Sequence, residues 1–178
     1  MPRPAVRFVA LAALVLSLAV PFAASAGATA APPSNSMQAL QADLLVQIDD
    51  FRRAHGLAPF RLSSKLTLAA RQHSSEMAAR GYFSHNSLNG SSFDRRIARF
   101  YPVRRGYWSV GENLLWSSPD VDAADALRMW LNSPEHRANL MRAGWREIGI
   151  AAVHAVSAPG LYGGREVTIV TTDFGVRR

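Results

Sequence analysis

Three side chains stand out for the chemistry they offer: His85, Glu112 and His136. His85 follows Tyr82 and Phe83 on a loop, and Glu112 follows Gly111 in what reads as a glycine-led turn. His136 falls in the first turn of a helix opened by Ser133-Pro134-Glu135. All three positions read as exposed element ends, where functional side chains concentrate. Brought together, two imidazoles and a carboxylate would form a divalent-metal site, and zinc suits that donor mix. The residues alone leave two arrangements open. The three share a cleft, or Glu112 and His136 simply hydrogen-bond backbone in tight loop packing.

Other catalytic chemistries find little support. The chain has no cysteine, no Gly-x-Ser-x-Gly elbow and no His-Glu-x-x-His pair. Ser84 and Ser133 neighbour histidines in sequence, which is not a triad. A metal-activated water with Glu112 as base is the one hydrolytic scheme available. The remaining histidines have structural readings. His73 lies on the apolar stripe of its helix, His55 sits at a helix end where positive charge is favoured, and His154 falls within a strand pattern. Asn113 and Asn139 read as backbone braces, and Arg137 as a partner for a carboxylate.

Arg95, Arg96, Arg99, Arg104 and Arg105 alternate with Phe93, Phe100, Tyr101, Tyr107 and Trp108. Such a cluster could hold a polyanion or single-stranded nucleic acid. Helical spacing explains the alternation without a ligand: arginines cover the outer face of a short helix and aromatic rings anchor it inward.

The elements that must position these residues follow from periodicity and punctuation. Met1–Arg7 carries two arginines and no acid, Phe8–Val20 is apolar except for Ser17, and Ala24-Ser25-Ala26 follows. That is the pattern of a secretory signal peptide, residues 1–26, cleaved after Ala26 or alternatively after Ala30. Residues 27–37, with Pro32-Pro33, read as a flexible spacer. Removing the signal leaves 18 basic against 13 acidic residues, a net charge of +5. A secreted chain without cysteine has no disulfide framework, so the fold rests on its core or on a core aided by metal. Helices are expected over 38–55, 65–80 and about 92–100, then from Ser118-Pro119-Asp120 through Trp130, and from Pro134 to Leu140. Ile148–Val156 and Val167–Phe174 are β-branched runs separated by Pro159-Gly160 and Gly163-Gly164, and read as an antiparallel pair. Helices first and strands last argue an α+β arrangement in one domain.

These segments fall into the order of one family. The pieces are Arg53–Phe60, Ala69–Ala78, Phe83-Ser84-His85, Gly111-Glu112-Asn113-Leu114, Trp130–Leu140, Glu147-Ile148-Gly149-Ile150 and Asp173-Phe174-Gly175. From about Leu40 to Gly175, within an expected domain of residues 38–178, the chain resembles the cysteine-free bacterial branch of the CAP superfamily (cysteine-rich secretory proteins, antigen 5 and pathogenesis-related proteins; the SCP domain). The resemblance implies an α-β-α sandwich with helices packed on a small, mainly antiparallel sheet. It also implies that His85, Glu112 and His136 share a cleft and hold a divalent metal, zinc being the best match. One departure is Ser133, which stands where many members carry a second cleft glutamate. Glu135 is not a substitute, because it leaves the helix about 100° away from its neighbour His136. The expected function is that of a secreted, monomeric binding protein for an extracellular lipid or peptide. The alternatives are a metal-dependent hydrolase using the same cleft, and a module for anionic envelope polymers working through Arg95–Arg105. Nucleic acid is not an expected partner, and no membrane span is expected after signal cleavage.

Overall fold

A computed structural model describes residues 34–103 and 106–178. The expected signal peptide with its cleavage sites, most of the expected spacer, and Arg104 and Arg105 lie outside the described residues. The first helix, α1 (Ser34–Ala54), begins within the expected spacer, so residues 34–37 are its first turn. It presents Leu40, Leu44 and Ile48 at four-residue intervals, all buried.

After the two-residue strand β1 (Arg61–Leu62) comes α2 (Ser64–Arg80). Leu66, Ala69, Ala70, His73 and Met77 form its buried stripe. Gly81 ends it at φ 71°, and its N–H donates to the Met77 carbonyl at 3.0 Å. The short α3 (Phe93–Ala98) leads to β2 (Trp108–Ser117). Next come α4 (Ala123–Leu131), α5 (Pro134–Met141), β3 (Glu147–Ala158) and β4 (Arg165–Arg177).

The strands form one sheet in the order β1-β3-β4-β2. β1 is parallel to β3, and the other pairs are antiparallel. One face carries Leu115, Ile148, Ile150, Val170 and Phe174 against α1, α4 and α5, with Trp130 and Trp145 filling the layer. The other carries Leu114, Val167 and Ile169 against Met77 and Ala78 of α2, and α2 in turn meets α3 through Leu66, Ala69 and Ile97. The result is the expected three-layer α+β sandwich. α2 crosses β3 so closely that a Cβ on Gly149 would lie 2.2 Å from the backbone of Leu66 and Thr67.

Two expectations need correction. Gly111-Glu112-Asn113 is not a turn but the middle of the ten-residue strand β2. Residues 111–115 are buried whichever way they point, so no alternation marks them, and Gly, Glu and Asn are poor strand formers. The fourth helix starts at Ala123 instead of Ser118. Ser118 Oγ donates to the Glu166 carbonyl at 2.7 Å, and Asp122 is the cap, its Oδ1 accepting from the Asp125 N–H at 2.8 Å.

Candidate functional site

β2 is an edge strand, and the site is built across it. Glu112 lies opposite Asp173 of β4 in the ladder. Both side chains are buried, with α2 and α3 above them. α3 inserts Arg96 into this position: one guanidinium nitrogen donates to Glu112 Oε2 and the other to the His85 carbonyl oxygen at 2.8 Å. The Arg96 and Glu112 side chains are each 1% exposed. The second oxygen of Glu112 accepts from His85 Nδ1 at 2.8 Å. A carboxylate already paired with arginine is an acceptor here, so Nδ1 carries the proton of this bond and Nε2 is the ring nitrogen left for other partners. The His85 side chain is 50% exposed.

A second buried carboxyl, Asp173, finds no hydrogen-bond partner of good geometry among the described residues. Burial and the neighbouring Glu112 raise its pKa well above the usual carboxylate range, against the pull of Arg96. One arginine faces two buried carboxyls, and Asp173 is held neutral. His73 closes the cluster from α2. Its Nε2 meets the Ser84 carbonyl at 2.8 Å, and burial lowers its pKa, leaving it neutral.

His136 reaches the same edge from α5. Asn113 Nδ2 donates to its carbonyl at 3.0 Å, while Asn139 Nδ2 donates to the Glu112 carbonyl at 3.1 Å and to Asn113 Oδ1 at 2.9 Å. Trp130 Nε1 donates to the Leu114 carbonyl at 3.1 Å. The outward carbonyls of β2 at 112 and 114 are therefore covered by side chains of α4 and α5, which closes this stretch of the sheet edge to further strands. Burial, and then the neighbouring His85, lower the pKa of His136. Its imidazole is neutral at pH 7, with a lone pair to offer.

Beside His136 runs a cleft of about 260 Å³ lined by Phe83, Leu114, Trp116, Met129, Trp130 and Ser133. Ser133 thus lies on the cleft wall, where it leaves the groove apolar. Glu135 and Arg137 are exposed, and neither lines this groove. A larger groove of about 460 Å³ lies between α1 and the start of α4, lined by Met37, Leu40 and Val121 with four aspartates and no imidazole.

The bland readings of Asn113, Asn139, His73 and His55 match the structure; His55 Nδ1 lies 2.8 Å from the Phe51 carbonyl. His154, which lies in β3 as its strand pattern implies, contacts Glu166 at 3.1 Å and Thr168 at 3.2 Å. Glu112 is neither exposed nor at an element end, because both its oxygens are engaged behind His85. Arg96 does not cover an outer face but is the buried counter-ion of Glu112, and Tyr107 is exposed instead of anchoring inward. Arg96 and Asp173 are the site residues that sequence reasoning missed. Among the described residues no three His, Asp or Glu side chains form a ready metal cage. The donors that fit a metal are the two imidazoles; Glu112 fits as the group that orients one of them.

A model of the CAP family, described as the cysteine-rich secretory protein family, matches residues 45–170. The chain is 28% identical over 130 residues to the uncharacterised protein YkwD of Bacillus subtilis, covering 72% of this chain and 48% of that relative. It thus spans about half the length of that protein. Among solved structures, an extracellular protein containing an SCP domain from Bacillus anthracis superposes with a TM-score of 0.59 at 26% identity, over 83% of this chain and 44% of the other. An outer surface protein of Borrelia burgdorferi shares the fold at a TM-score of 0.61 and 18% identity, over 80% and 96% of the two chains. A family match of that extent, carried on the same three layers, makes this chain a member of the CAP family of cysteine-rich secretory proteins.

Proposed function

We propose that this CAP domain is a secreted binding module whose cleft takes a divalent metal at His85 and His136 and an extracellular ligand in the adjoining apolar groove. The observation that carries the reading is the bond between His85 Nδ1 and Glu112 Oε1 at 2.8 Å. That contact turns Nδ1 toward the carboxylate and leaves Nε2 as the ring nitrogen for a metal, the arrangement in which a carboxylate supports a metal-ligating histidine. His136, kept neutral, is the second donor. A bound zinc ion would supply Lewis acidity and a fixed charge for a polar ligand group, while Phe83, Trp116 and Met129 take its apolar part.

Energetics support a role for the buried ions beyond stability. Well-packed apolar residues often match or exceed the stability of a buried ion pair, yet Arg96 and Glu112 sit under an exposed imidazole and orient it. Binding is favoured over hydrolysis because Glu112 has no free oxygen with which to act as base. Secretion rests on the signal pattern of residues 1–26, and the SCP-domain protein of Bacillus anthracis is itself extracellular.

Calorimetric zinc titration of the purified protein tests the reading. One saturable site is expected, lost in His85→Ala and in His136→Ala. Glu112→Gln should weaken it by about 10–100-fold without abolishing it, as for an outer-shell partner. Equal behaviour of wild type and both histidine variants would end the metal reading.

A further inference from the structure

At the sheet edge opposite the cleft, β1 and the start of α2 form a shallow groove of about 670 Å³ lined by Leu62, Ser64, Thr67, Leu68 and Arg71. Leu62 is 58% and Leu68 53% exposed, although both belong to regular elements whose neighbours bury their apolar side chains. Arg61, Lys65 and Arg71 are exposed around them, and no acid lines the groove. Glu147, which bonds Arg61 at 2.9 Å, is buried.

The charge placement works against the helix. α2 has no acid in its first turn, and Ser63 makes no side-chain cap bond. Lys65 instead adds positive charge to the end where the helix dipole is already positive, which disfavours folding and favours an anion. The asymmetry extends through the layer. Residues 60–103 hold seven basic and two acidic residues, whereas residues 34–59 and 118–146, which include the opposite helices, hold six and seven.

We infer that this β1–α2 corner docks on an anionic lipid surface. Basic side chains around exposed leucines match the two zones of a bilayer face: phosphates outside, and acyl chains beneath for Leu62 and Leu68. A soluble polyanion would satisfy Lys65 and Arg71 but leave both leucines in water, so the paired chemistry selects the lipid. The corner uses no residue of the cleft and does not depend on metal there.

Co-sedimentation of the full chain with phosphatidylcholine vesicles, with and without phosphatidylglycerol, tests this at low and high salt. Every variant keeps the apolar Phe8–Val20 segment, so differences between variants report the corner alone. Binding to anionic vesicles should fall about fivefold for each basic residue neutralised, or about 25-fold in Lys65→Gln/Arg71→Gln. Leu62→Ser/Leu68→Ser should weaken it by about tenfold while leaving the net charge unchanged. These residues are exposed, and unchanged circular dichroism will verify folding. Wild-type binding by either double variant overturns the inference. So does loss in the basic variant with none in the leucine variant, the result expected of a surface for soluble polyanions.

Discussion

Replacing Arg96 by methionine puts the buried cluster to its hardest test. Methionine keeps much of the volume of the side chain's stem but removes the guanidinium placed against Glu112 and Asp173. Arg96 and Glu112 are each 1% exposed at the side chain, so water does little to screen the loss. Removing one partner of such a buried pair costs about 3–5 kcal/mol. For a domain of this size each kcal/mol lowers Tm by about 2–4 °C, so a fall on the order of 10 °C is expected. Urea unfolding followed by tryptophan fluorescence, with differential scanning calorimetry beside it, measures both quantities.

The same experiment distinguishes a lost charge pair from lost packing. With Arg96 already replaced, Glu112→Gln removes the stranded charge and should restore part of the stability, giving a coupling energy of about 2 kcal/mol or more in the double-mutant cycle. The reasoning fails if Arg96→Met costs less than about 1 kcal/mol, the range of a solvated surface pair. It fails equally if the two substitutions are additive, for then Arg96 and Glu112 act independently.

Asp173→Asn should stabilise the protein at neutral pH. The folded state raises this carboxyl's pKa, so wild type is favoured at acid pH and loses stability as pH rises from the unfolded value toward the folded one. The amide has no such loss, and the difference in Tm between variant and wild type should grow from pH 4 to pH 8; a constant difference would show Asp173 ionised in the fold. Asn139→Ala removes two hydrogen bonds between α5 and β2 and should cost about 1–3 kcal/mol while weakening zinc binding, read by urea unfolding and calorimetry. Gly149→Ala sets a Cβ 2.2 Å from the α2 backbone, and overpacking of at least about 1–3 kcal/mol should appear in the urea midpoint.

The helices and the β3–β4 pair were legible because period and punctuation agreed. Leu40, Leu44 and Ile48 repeat at helical spacing, Gly81 stops α2, and β-branched runs flank a glycine-rich turn. β2 was not legible. Its central residues are buried on both faces of an edge strand, and its polar members Glu112 and Asn113 are stabilised by partners distant in sequence. His85 and His136 could be singled out through their place in family motifs, whereas the ion pair beneath His85 could not. Arg96 lies in a run of arginines, and only the packing of α3 on α2 separates it from exposed Arg95 and Arg99. Asp173 lies in a strand with an otherwise apolar or small-polar interior, and its meaning depends on the register that sets it opposite Glu112.

That register also explains why the site sits at the sheet edge. A long edge strand needs its outward backbone groups covered, and here Trp130 and Asn139 cover the carbonyls of Leu114 and Glu112. These bonds tie α4 and α5 to β2, and the link from Asn113 to the His136 carbonyl fixes the first turn of α5 against the same strand. On the other side Arg96 fixes the His85 loop through its carbonyl. Each imidazole is therefore positioned by a bond to its own backbone, His136 from the strand whose edge Trp130 and Asn139 cover and His85 from Arg96. A substitution that loosens Asn113 or Asn139 should consequently affect edge protection and metal affinity together, whereas one confined to Phe83 or Met129 should change ligand preference alone.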